Sequence, residues 1–188
     1  MADDISAEGS HKRLNRSVAM TVVLLSVFLG LCHIKDDNLV QAMQQTKSDA
    51  VDTWGEYQAT KTKLHISESE INQLSLLVAL GNDSMATGAR IEEVQKNIAK
   101  YRAEIPALMA KARGFEALYD AMNYHDDQFD ASDALVGIAV SVAAVSALAE
   151  SWWALGAAWV FGACGVLMGA AGFLGWAIHP DFLAQFLS

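Results

Sequence analysis

The chain has 188 residues, is 53% apolar and carries a formal net charge of −9. Its length suits one ordinary domain, and an acidic balance with no clustered Lys/Arg excludes nucleic acid, whose phosphates need basic partners. The two cysteines, Cys32 and Cys164, both lie in apolar stretches and exclude a disulfide framework or a cysteine metal site.

Residues 1–16 are polar and aperiodic, which predicts a mobile terminus. Ser17–Ile34 is an uncharged run of 18 residues and predicts a first transmembrane helix, 17–34. Lys12, Arg13 and Arg16 before it resemble the start of a secretory signal. The apolar run is longer than a signal core, and no small-residue cleavage site follows before Lys35. Leu31 also occupies the position before Cys32 where a lipoprotein box needs a small residue, so the run reads as an uncleaved anchor.

Residues 35–133 carry 10 Lys/Arg against 17 Asp/Glu and belong in water. Met43, Ala50, Tyr57, Leu64, Ile71 and Val78 recur every seven residues, with Leu39, Thr46, Thr53, Thr60, Ser67 and Leu74 at the intervening heptad position. Gly81-Asn82-Asp83-Ser84 and Gly88 form a turn cluster, which puts a tip near 81–88. A second repeat follows, from Ile91, Val94, Ile98 and Tyr101 through Ala112 and Phe115 to Met122, alternating by three and four. Both repeats have coiled-coil spacing. Pro106 keeps phase and predicts a kink rather than a break. The arms 35–84 and 85–134 are equal, so together they predict one antiparallel coiled-coil hairpin.

Ala134–Ile178 carries one charge, Glu150, and is too long for a single crossing. It divides into predicted transmembrane helices 134–149 and 153–178 around an interfacial turn at Glu150-Ser151-Trp152-Trp153. Residues 179–188 read as an interfacial tail. The fold class is therefore an all-α membrane protein with three transmembrane helices and a hairpin between the first and second. Lys12, Arg13 and Arg16 place the N-terminus in the cytoplasm and the hairpin outside it.

Ala158, Gly162, Gly165, Gly169 and Gly172 recur by four and three, a groove of small residues that lets helix backbones approach. It serves either packing within the chain or contact with another copy or another membrane protein. Trp54 and Tyr57 share one helical face, flanked by Asp52 and Lys61. They either fill the small-residue part of the hairpin seam or form a docking patch, since aromatics dominate interface hot spots. His125 with Asp126, Asp127, Asp130 and Asp133 lacks a carboxylate three or four residues on from the histidine, so it reads as a solvated helix end and no metal is expected.

No nucleophile elbow, phosphate-binding loop or H-E-x-x-H motif is present, so no catalytic residue, cofactor or enzymatic activity is expected. The expected role is a membrane scaffold or accessory subunit that self-associates or binds another membrane protein. A small oligomeric transport or channel component is the alternative. Against it, only Thr21, Ser26, Ser141 and Ser146 supply polar side chains away from the helix ends.

Ala50, Asp52, Trp54, Tyr57, Gln58, Ala59 and Lys61 form an A-x-D-x-W-x-x-Y-Q-A-x-K pattern. With Phe129-Asp130-Ala131-Ser132-Asp133-Ala134-Leu135 and the glycine-rich last helix, it resembles a family of bacterial membrane proteins known only as a domain of unknown function. The resemblance implies a bacterial inner-membrane protein with a coil between membrane helices, and no activity.

Overall fold

A computed structural model describes residues 2–81 and 84–176. They form three α-helices and, among the described residues, no strand: α1 (Ala2–Ala79), α2 (Met85–Leu148) and α3 (Trp152–Leu174). Each contains a stretch long and apolar enough to cross a membrane. Contacts divide the chain into two units, residues 1–43 with 121–188, and residues 44–120.

Several expected boundaries are corrected. Helix α1 begins at Ala2, so Ser17 is not a helix start. Leu14 explains why the coil extends past the apolar run: it is 1% exposed and packs with Val18, Ala143, Leu155 and Ala158. The helices run on through Ile34 and through Ala134, as expected of a chain with nothing to break the helix after the first apolar run, because polarity changes there without a glycine or proline to stop the backbone ladder. Gly88 lies inside α2 rather than in the turn. Ser84 accounts for this, since its hydroxyl accepts from the Thr87 N–H at 3.2 Å and restarts the helix at once. Gly81, at φ +86°, reverses the chain after α1.

In the unit of residues 1–43 and 121–188, Ser151 caps α3 by accepting from the Ala154 N–H. Glu150 takes the left-handed conformation (φ 50°) that shortens the α2–α3 link. Gly175 ends α3 in an αL cap, its N–H bonded to the Ala171 carbonyl. The expected third span therefore stops short of Ile178, and residues 177–188, including the expected tail, lie outside the described residues. Val23, Leu24, Val27, Val160 and Leu167 face outward from this unit.

The α2 face that packs here starts at Gln128, six residues before the expected span: Gln128, Phe129, Ala131, Ser132, Val136, Ala139, Ala143 and Ser146 are all buried. Among them the Ser146 hydroxyl has no hydrogen-bond partner. A buried orphan hydroxyl costs about 1–3 kcal/mol, so Ser146→Ala is expected to raise the thermal midpoint in detergent, followed by circular dichroism.

In the unit of residues 44–120, burial follows the heptads. From Thr46 to Val78 on α1, and from Ile91 to Tyr119 on α2, the positions of both repeats are buried or half-buried. Thr46, Thr53 and Thr60 are fully buried, and the Thr53 hydroxyl is satisfied within its own helix by the Asp49 carbonyl at 2.7 Å. This is how a seam with few large apolar residues closes without stranding polar groups. Helix α2 runs unbroken through Pro106, which offers no N–H to the Arg102 carbonyl.

Cross-contacts pair Trp54 with Glu116, Glu68 with Arg102 and Glu70 with Arg90, so later residues of α1 meet earlier residues of α2. The two arginine pairs, at 2.8 and 2.7 Å, lie at the surface, where solvent screening leaves them little weight in stability.

Candidate functional site

Three arrangements concentrate the chemistry of this chain. The first is the small-residue groove. Ala158, Gly162, Gly165, Gly169 and Gly172 are all buried, against α1 and α2 of the same chain. A Cβ at Gly165 would lie 2.7 Å from Val136 Cγ2 and 3.0 Å from the Val136 backbone nitrogen. One at Gly169 would meet Phe28, Ser132 and Cys32 within 2.9 Å, and one at Gly172 would meet the Phe129 ring at 2.8 Å. At Gly162 the neighbour is the flexible end of Leu25, at 3.1 Å. Van der Waals contact along this line, rather than water exclusion, is what holds helices together in hydrocarbon.

The second arrangement lies where α1 and α2 leave that bundle. Asp36 of α1 stands beside Asp126 and Asp130 of α2; Asp36 and Asp126 are half-buried and Asp130 is exposed. Asp36 Oδ1 has no hydrogen-bond partner. Burial, then Asp126, Asp130 and Asp37, push the Asp36 carboxyl up to about 6, where it donates a hydrogen bond to Asp126. Burial, with Asp127, raises Asp126 against the lowering effect of the Asp36 hydrogen bond, and burial with Asp126, Asp127 and Asp133 raises Asp130. Nearby, His33 Nε2 and Asp133 Oδ1 are 2.9 Å apart. His125 Nδ1 bonds to Gln128 Oε1 at 3.0 Å, and Gln128 Nε2 donates to the Trp176 carbonyl at 2.8 Å, tying α2 to the end of α3. Among the described residues no group of three His, Cys, Asp or Glu side chains has the geometry of a metal site.

Asp36 is the member that sequence reading missed. The signal was the equal length of the two arms, which sets residues just after the first apolar run opposite Asp126–Asp133.

The third arrangement surrounds Trp54. Its indole N–H donates to Glu116 Oε1 at 2.8 Å, and its ring meets Tyr57 edge-on with centroids 5.3 Å apart. Lys61 Nζ sits 5.8 Å above the Tyr57 ring, and Lys47 Nζ sits 5.8 Å from that of Tyr119. A groove of about 210 Å³ opens beside Trp54, between Lys47, Val51, Glu116 and Tyr119. Asp52 does not join these residues; it lines a separate groove with Asp49, Glu56, Lys111 and Phe115. Of the four residues grouped from sequence, three come together.

Residues 14–175 match a family described as a domain of unknown function, DUF4337. The chain belongs to that family. The match begins at Leu14, the first buried residue among those described, and ends at Gly175, the cap of α3. It therefore takes in residues 44–120, most of the other unit, and nearly every residue of the three arrangements. No curated protein and no solved structure matches the chain.

Proposed function

We infer that this DUF4337 member is a non-enzymatic scaffold or accessory subunit of a bacterial inner membrane. Its three apolar helices cross the bilayer and carry an antiparallel coiled-coil hairpin between the first and second. The N-terminus is cytoplasmic, as Lys12, Arg13 and Arg16 favour, and the hairpin is extracytoplasmic. One observation carries this reading: burial on α1 and α2 in residues 44–120 tracks heptad positions over their whole length. Two helices joined along a narrow seam leave most of their surface to meet other molecules. The grooves beside them are shallow and open, better suited to a side chain of a protein partner than to enclosing a small substrate.

Around Trp54, the aromatic pair and its flanking lysines offer a patch for such a partner. The test is in-membrane photocrosslinking from a probe replacing Trp54, combined with labelling of a Lys61→Cys variant by a membrane-impermeant maleimide. The expected result is labelling from the extracytoplasmic side and capture of the chain itself or of one defined membrane protein. Recovery of the chain in the aqueous fraction without detergent would overturn the reading. Ion flux above background in reconstituted vesicles would turn it towards a transport component.

A further inference from the structure

The water-facing side of α1 in residues 44–120 has a pattern of its own. Between Trp54 and Leu80 every Lys, Arg, Asp and Glu, namely Glu56, Lys61, Lys63, Glu68 and Glu70, sits on the two flanks of the seam that packs on α2. The face opposite that seam carries none. Along it Thr62, Ile66, Ser69, Gln73, Leu76 and Leu80 recur by four, three, four, three and four, all exposed. Ile66, Leu76 and Leu80 are 62%, 63% and 77% exposed. A helix with a single partner normally spreads its charges over the whole solvent side. Charges confined to two flanks, with heptad spacing on both remaining faces, describe a helix with two helical partners.

Resting on the membrane reading above, we propose that this second face of α1 pairs with the same face of a second copy, in parallel and in register. Three observations choose that occupant. Helix α1 is unbroken from Ala2 to Ala79, so copies anchored in one membrane present it with the same polarity. In-register pairing sets Ser69 against Ser69 and Gln73 against Gln73. A hydroxyl and an amide each both donate and accept, so each is satisfied by its own like. The Thr62 hydroxyl enters already bonded to the Gln58 carbonyl, at 2.9 Å. Flanking residues five apart then face one another across the copies: Gln58 meets Lys63 and His65 meets Glu70, with no like charges opposed. The glycine groove of α3 is filled within one chain and is left out of this contact.

The test uses the full-length chain in native membranes with Cys164→Ala, leaving Cys32 buried. Ile66→Cys and Leu76→Cys, oxidised with copper phenanthroline, are expected to form a disulfide-linked dimer at least fivefold more efficiently than Lys61→Cys on the flank. Dimer yields at 66 and 76 no higher than at 61 would overturn the proposal. So would disulfide adducts with a different protein at 66 and 76. As a second readout, Ile66→Glu combined with Leu76→Glu is expected to halve the mass of the detergent-solubilised particle with helicity unchanged, and an unchanged mass would count against self-pairing. Maleimide labelling at position 61 reports the membrane arrangement separately, whatever the crosslinking gives.

Discussion

Gly165→Ala is expected to destabilise the bundle of residues 1–43 and 121–188 by about 1–3 kcal/mol, the usual cost of overpacking. The added methyl would stand 3.0 Å from the Val136 backbone nitrogen, and backbone can yield only by moving α2 away from α3. Gly162→Ala is the informative contrast. Its methyl crowds the tip of Leu25, which can rotate, and meets Ala139 Cβ at an ordinary contact distance of 3.5 Å. Alanine also favours a helix over glycine by roughly 0.5–1 kcal/mol, so this variant should be close to neutral. Gly156→Ala, with nothing within 4 Å, should be stabilising. The ordering of thermal midpoints for the purified protein in detergent checks the argument. Equal midpoints at 162 and 165 would mean that α2 and α3 do not approach as described.

The second large effect concerns pH. A carboxyl raised to about 6 in the folded chain, against 3.8 ordinarily, binds its proton more tightly when folded. Below about pH 4 both states are protonated and the stabilisation from this proton is full. As pH rises towards and through 6 the folded state loses the proton and that stabilisation, and above it the curve is flat. Asp126 and Asp130 shift the same way and add to the slope. The thermal midpoint should therefore rise as pH is lowered from 7.5 to 5. Because Asp36 is only partly buried, solvent screening reduces the contribution to about 1 kcal/mol. Asp36→Asn keeps the hydrogen bond to Asp126 without the charge, so it should stabilise the protein at pH 7.5 and flatten the profile. A profile as steep as that of the parent would place the origin elsewhere.

Much of this architecture is legible from spacing. The heptad residues read from sequence coincide with the buried and half-buried positions of α1 and α2 in residues 44–120, because a packed helix face repeats every seven residues. The small residues from Ala158 to Gly172 likewise mark a face that backbone approaches. What escaped was of two kinds. The start of α1 could not be read from polarity, because residues 2–16 are polar and aperiodic and yet continue the helix of the apolar run. Gly88 misled in the opposite sense, since one glycine near a capped N-terminus costs a helix too little to exclude it. Contacts between distant segments were also hidden. Leu14 among polar neighbours, and Asp36 beside Asp126, acquire their meaning only when another helix arrives. Asp52 looked like a neighbour of Trp54 because it is near in sequence, yet two residues along a helix turn a side chain by about 200°.

Leu14 also resets the length of the first stretch apolar enough to cross a membrane. Counted from Ser17 to Ile34, the lipid-embedded stretch would measure about 27 Å at 1.5 Å per residue; counted from the leucine that meets Leu155, it measures about 31 Å. The longer figure matches an average bilayer with no thinning or tilt. A bilayer matched to that stretch would be about as thick as the average one, and the residue that sets the match, Leu14, is one that hydropathy alone would have left outside the apolar run.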